Sequence, residues 1–140
     1  MIKFSVNGKP VPQGSGFAVN KGGHVYNPRA VKLNPWRSDI ATEAGKACPV
    51  PLAGPVAVLI GFRLKRPKNH YRTGRNAHLL KDSAPAYPDG KPDVDKLARA
   101  VLDALTGVVF WDDAQVVTLA VSKGYADIPG ADLEISEMTP

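Results

Sequence analysis

The stretch from Pro92 to Gln115 constrains this chain more than any other, reading Pro-Asp-Val-Asp-Lys, an apolar stripe at helical spacing, and then Trp-Asp-Asp-Ala-Gln. Val94, Leu97, Val101 and Leu105 recur at the interval of a helix with one buried face. Gly107 follows where a left-handed C-cap belongs, so the spacing predicts a helix from Asp93 to Thr106. Val108 to Trp111 then read as a short strand returning from the far end of that helix. The unit carries Asp93 and Asp95 at one end and Asp112 and Asp113 at the other.

Four carboxylates around one helix and one turn have a chemical consequence. Asp93 and Asp95 stand at a helix entrance, where the macrodipole favours negative charge. If the strand after the helix runs back toward that entrance, its terminal carboxylate reaches the first pair. Adjacent residues in extended backbone point opposite ways, so only one of Asp112 and Asp113 should face them. Carboxylates this close raise each other's pKa unless a cation lies between them, and a hard cation such as Mg²⁺ prefers oxygen ligands. Each aspartate also has a plainer explanation. Asp93 could cap the helix, Asp95 could pair with Arg99 and extend to Asp103 along an exposed face, and Asp112 and Asp113 could form a turn. Three such coincidences beside a basic segment favour a site.

That basic segment holds all the net positive charge of the chain. The formal charge of the 140 residues is +5. Between Arg63 and Lys91 lie eight basic residues against Asp82 and Asp89, whereas the remainder has ten basic and eleven acidic residues. The clustering points to an anionic partner, and Lys65, Arg66, Lys68, Arg72 and Arg75 are placed to neutralise phosphates of a nucleic acid. The alternative is a solvated loop kept soluble by its charge. Residues 65–92 are rich in Pro, Gly, Asn and charge with no apolar period, and so read as a basic, mobile loop; loops of that length are usually functional or disordered.

The rest of the chain supplies a single domain over 1–140. Ile2, Phe4 and Val6 alternate with polar residues as in a half-buried strand. Short candidate strands at Phe17 to Val19 and His24 to Tyr26 flank Lys21, Gly22 and Gly23, which fits a hairpin. Asn34 and Pro35 suit an N-cap and first helical position, opening an amphipathic helix whose stripe is Leu33, Trp36, Ile40, Ala44 and Ala47. Val56, Val58, Ile60, Phe62 and Leu64 keep a period of two up to Pro67. Val117, Leu119 and Val121 mark a further strand, and Ala131, Leu133 and Ile135 the last, the two looking like an antiparallel pair. The order of elements gives α+β with a mixed sheet and two main helices. Trp36 and Trp111 are assigned to the core.

Several function classes are disfavoured. Cys48 is the only cysteine, leaving no internal disulfide or thiolate cluster. No apolar stretch is long enough for a membrane span, and a cytoplasmic location is the default expectation. His24, His70 and His78 lack metal-ligand spacing. Gly14-Ser15-Gly16 lacks the lysine and helix of a phosphate-binding loop, so no nucleotide cofactor is expected. Tyr71 and Tyr87 could stack on unpaired bases, although position in a surface loop explains them equally.

The run Asp93-Val-Asp95-Lys-Leu97, then Asp103-Ala-Leu105-Thr-Gly107 and Trp111-Asp-Asp113-Ala-Gln115-Val, resembles the signature of RusA-type Holliday junction resolvases, small enzymes of phage and prophage origin. The match spans about Lys91 to Val117, and the flanking order of elements agrees. The resemblance implies a RusA-like fold and Mg²⁺ bound by Asp93, Asp95 and Asp113. It places Arg99 where the family has a lysine needed for activity, an exchange that keeps the charge but alters hydrogen-bond geometry. Lys96 stands where the family usually has asparagine. It further implies a homodimer that cuts two strands of a four-way DNA junction symmetrically during recombination and repair, since a two-fold dimer offers equivalent sites to a roughly two-fold substrate. Two rivals remain: a nuclease for other branched DNA such as flaps or forks, and an inactive protein that only binds junctions.

Overall fold

Val56, Val58, Ile60 and Phe62 are buried along one face of a nine-residue strand around which the molecule is built. In a computed structural model, residues 1–14, 18–26 and 30–140 are described. The elements are β1 (Ile2–Asn7), β2 (Ala18–Val19), β3 (Val25–Tyr26), α1 (Ala30–Ala47), β4 (Val56–Leu64), α2 (Val94–Leu105), β5 (Val116–Tyr125) and β6 (Gly130–Glu137). β4 is the strand the period of two predicts. It pairs antiparallel with β6 and parallel with β5, and β6 pairs antiparallel with β1, giving the order β1-β6-β4-β5. Leu33, Trp36, Ile40 and Ala44 of α1 join Leu97, Ala98, Val101 and Leu105 of α2 in one cluster with the buried face of β4 and β6. The result is the expected α+β arrangement with a mixed sheet and two helices. β2 and β3 form the small antiparallel hairpin foreseen there, Phe17 lying outside the described residues.

Four expectations are corrected. The first helix begins at Ala30 and Pro35 lies inside it, so Asn34 is not its cap. Leu33 is buried with Trp36, and a turn before the proline is needed to place it there. The hydrogen bond that Pro35 forgoes would have used the carbonyl of Val31, a residue 83% exposed and so open to solvent. Val108 to Trp111 is a turn, not a strand. Gly107 reverses the chain at φ +83 and donates to the Phe110 carbonyl at 2.7 Å, while Val109 and Phe110 are buried as anchors. Trp111, assigned to the core, is 64% exposed because it leaves that turn toward solvent, whereas Trp36 is buried. The last two strands are not partners, since β4 lies between them and each takes one of its edges.

The segment 65–92 has local structure of its own. It contains 3₁₀ turns at Lys68–His70 and Gly74–Asn76 and a bridge between Tyr71 and Leu80, closed by Lys81 N to His70 O at 2.9 Å. No helix among the described residues is long and apolar enough to cross a membrane. Buried Cys48 donates its thiol proton to the Val50 carbonyl at 3.1 Å. Burial pushes its pKa up against the lowering effect of that bond.

Arg63 joins three strands at one end of the sheet. Its guanidinium donates to Asp132 Oδ2 at 3.2 Å, to the Ile128 carbonyl at 2.7 Å and to Asn7 Oδ1 at 3.1 Å. Gly130 lies against this group, and a Cβ there would stand 2.2 Å from the Val6 carbonyl oxygen and 2.5 Å from an Arg63 nitrogen. Gly130→Ala is therefore expected to destabilise the protein by about 1–3 kcal/mol, the range of overpacking in a closed site. Thermal denaturation monitored by circular dichroism would show it as a lowered midpoint; an unchanged midpoint would mean that this seam relaxes freely.

Candidate active site

The N-terminus of α2 presents its acids without using them as caps. Asp93 occupies the N-cap position but makes no capping hydrogen bond; its Oδ2 instead pairs with Lys96 Nζ at 3.3 Å. Asp95 in the first turn and Arg99 one turn later are both exposed, and no ion pair joins them among the described residues. Asp103, a further turn along, accepts a hydrogen bond from Gln13 Nε2. Gln13 is itself tied to the helix by its backbone N–H, which donates to the Lys96 carbonyl at 3.0 Å.

The turn before β5 separates the roles of its two aspartates. Asp112 Oδ1 accepts from Ala114 N at 2.9 Å and caps a single 3₁₀ turn, Asp113–Gln115. Gln115 Oε1 accepts from the backbone N–H groups of Trp111 at 2.8 Å and Asp112 at 3.0 Å. Its Nε2 donates to the carbonyls of Leu52 and Gly54, both at 2.9 Å. One glutamine thus fixes the turn and anchors it to the chain entering β4. With Asp112 committed to the cap, Asp113 alone turns toward α2.

Asp95, Arg99 and Asp103 of α2 and Asp113 of the turn line one cleft of about 460 Å³, with Leu119 and Val121 of β5 as its apolar wall. Asp93 is not in this cleft. It lines a neighbouring one of about 290 Å³ with Lys9, Lys91 and Lys96. Among the described residues no group of three or more acidic, His or Cys side chains is close enough to hold a metal ion. The donors facing the cleft are carboxylate oxygens, the chemistry that suits a hard divalent cation.

Sequence reasoning passed over three contributors. Gln13 reaches Asp103 from far along the chain, and Gln115 acts through carbonyls more than sixty residues away. Lys123 Nζ donates to the carbonyls of Gly90 at 2.6 Å and Pro92 at 2.9 Å, tying β5 to the residues just before Asp93. None of the three has a local signal, whereas Asp103 was visible in its spacing of four from Arg99 on the same helical face.

The five basic residues assigned to phosphate contacts divide in two. Arg66 donates to the Pro85 carbonyl at 2.7 Å and lies 4.2 Å from the centre of the Tyr125 ring. Arg72 bonds the Leu80 carbonyl and Asp82, both at 3.3 Å. These two hold the loop together. Lys65, Lys68 and Arg75 are exposed and form no ion pair among the described residues.

An acid-lined cleft on an α+β scaffold, beside a cation-rich loop, is the setting in which the family match falls. The chain matches the family of endodeoxyribonuclease RusA over residues 7–136 and belongs to it, as the resemblance at 91–117 suggested. This is a family of DNA-cleaving hydrolases, and membership implies Holliday junction-resolving endonuclease activity. The uncharacterized protein YqaN of Bacillus subtilis (strain 168) is similar throughout, 32% identical over 139 residues that cover 99% of this chain and 97% of YqaN.

The two sides of the turn should respond differently to substitution. Gln115→Ala leaves two backbone N–H groups and two carbonyls without their partner and is expected to cost about 1–3 kcal/mol. Asp113→Asn should leave the melting temperature unchanged, because among the described residues its carboxylate takes part in no hydrogen bond or ion pair. Equal melting temperatures for both variants would overturn this division of roles.

Proposed function

We propose that the protein is a Mg²⁺-dependent endonuclease that resolves four-way DNA junctions in recombination and repair, acting as a homodimer that cuts two strands symmetrically. The observation that carries this reading is the convergence of Asp95, Arg99 and Asp113 on one cleft, with Asp112 withdrawn into a cap. Asp95 and Asp113 would hold the ion in this cleft, and Asp93, which lines the neighbouring one, would join them by leaving its contact with Lys96 and swinging toward it. The chemistry that Mg²⁺ supplies in such a site is Lewis-acid polarisation of the scissile phosphate. Arg99, exposed at the cleft, offers a planar guanidinium to two phosphate oxygens and stabilises the charge that develops on them. Leu119 and Val121 give the cleft a wall from which water is partly excluded, strengthening these interactions. Lys65, Lys68 and Arg75 bind the backbone of the DNA arms, and such contacts position a protein without reading sequence. Arg66 and Arg72 contribute by holding the loop that carries them.

Two experiments test this reading. Labelled synthetic four-way junction, flap and linear duplex of matched sequence would be incubated with Mg²⁺ and the wild type, Asp95→Asn or Asp113→Asn. Paired symmetric nicks confined to the junction are expected. Each variant should lose activity on the order of a hundredfold or more, since even outer partners of metal ligands are worth about 10–100-fold. Preferred cutting of the flap would shift the substrate to other branched DNA, and tight junction binding without cuts would leave a binding protein. In a second experiment, Lys68→Ala combined with Arg75→Ala should weaken junction binding and reduce the slope of log K against log salt by about 2. An unchanged slope would remove these side chains from the interface.

A further inference from the structure

A cleft of about 710 Å³ opens where the ends of β4 and β5 meet residues 85–92. Its walls include six prolines, Pro10, Pro67, Pro85, Pro88, Pro92 and Pro129. Their rings are rigid and apolar and their nitrogens donate nothing, so these walls bind by contact and not by a pattern of backbone donors. Lys9, Lys65 and Lys91 bring three ammonium groups to the lining, against the one carboxylate of Asp89. None of these lysines takes part in an ion pair among the described residues.

Tyr125 adds an aromatic surface that is fixed in advance. Arg66 sits over its ring at 4.2 Å while anchored to the Pro85 carbonyl at 2.7 Å. His70 meets the same ring edge-on, with centroids 5.5 Å apart and planes at 88°. The cleft also continues toward the candidate site, because Lys9, Pro10, Lys91 and Pro92 line both it and the smaller cleft that contains Asp93 and Lys96.

Rigid apolar walls, a preset pair of planar groups in Tyr125 and Arg66 and an excess of cations suit a ligand with a planar apolar face and a negative charge. An unpaired nucleotide has both. Its base can stack on aromatic or guanidinium planes, whereas a base in duplex DNA keeps its faces covered by its neighbours. The volume lies in the range of sites that enclose a small ligand. We propose that this cleft takes up one unpaired nucleotide of branched DNA, with its phosphate at Lys9 and Lys91 and its base against the proline rings and the Arg66–Tyr125 pair. The selection of branched over linear DNA is thereby located beside Asp93. This rests on the reading of the chain as a branched-DNA nuclease, but it concerns binding and not cleavage.

The test uses a four-way junction carrying 2-aminopurine at the nucleotide flanking the crossover, and a linear duplex carrying it at a paired position, both without added Mg²⁺. Binding of the wild type should change the fluorescence of the junction probe and leave that of the duplex probe unaltered. Lys9→Gln combined with Lys91→Gln should weaken junction binding about tenfold and duplex binding by less than about twofold. Tyr125→Leu should diminish the fluorescence change; both lysines are exposed, so their variant keeps the test decisive if the tyrosine variant fails to fold. Unaltered junction fluorescence on binding, or equal weakening on junction and duplex, would overturn the proposal. Because cleavage is not read, a protein that binds, reports the base and cuts no junction would sink the nuclease reading and support this one.

Discussion

The pairing of β4 on both its edges is the constraint from which the rest of the molecule follows. A strand buried on one face and hydrogen-bonded on both sides needs a neighbour along each edge, here the antiparallel β6 and the parallel β5. A parallel partner cannot be reached by a tight turn, and the chain must cross over the sheet and return. That crossover is the basic segment followed by α2. The acids therefore fall at its two landmarks, Asp93 and Asp95 where the helix begins and Asp113 where the chain turns into β5. The parallel register, with Val58 beside Leu119 and Ile60 beside Val121, also places the apolar wall of the cleft directly across from α2.

Within that frame the local chemistry assigns neighbouring residues opposite duties. Asp112 and Gln115 complete the hydrogen bonding of a turn, and the exposed side chain of Asp113 is left with no part in it. The same division runs through the cations. Arg66 and Arg72 are engaged with carbonyls, a carboxylate and an aromatic ring, while Lys65, Lys68 and Arg75 reach solvent. In both sets a side chain used inside the molecule frees another to face outward. A count of charges could not separate the two kinds, because what distinguishes them is the presence of an internal partner.

That distinction explains how far the sequence could be read. β4 was legible to the residue, since a period of two bounded by prolines leaves no alternative register, and α2 was legible to within one residue at each end. The alignment of Asp95, Arg99 and Asp103 follows from helical spacing alone. The alternation rule required one of Asp112 and Asp113 to turn inward, but the choice between them is made by the carbonyls of Leu52 and Gly54, which only the folded chain brings near Gln115. Trp111 looked like core because an apolar run preceded it, yet the reversal at Gly107 spends that run on Val109 and Phe110. The start of α1 was hidden for a similar reason, since the burial of Leu33 outweighs the local preference of Pro35 for a first turn. The proline-walled cleft had no local signature, being assembled from five separate stretches of chain.

The place of β6 between β1 and β4 bears on the order in which the molecule can be made. Of the strands in this sheet β1 leaves the ribosome before the others and β6 after them, and residue 2 finds its partner only in residue 135. Until then β1 has no strand to pair with, and Arg63 lacks Asp132 and the Ile128 carbonyl. The sheet is therefore sealed by β6, through contacts of long sequence separation, which are the slowest kind to form. A nascent chain halted before Gly130 would carry the whole acidic cleft on a sheet still open at its centre.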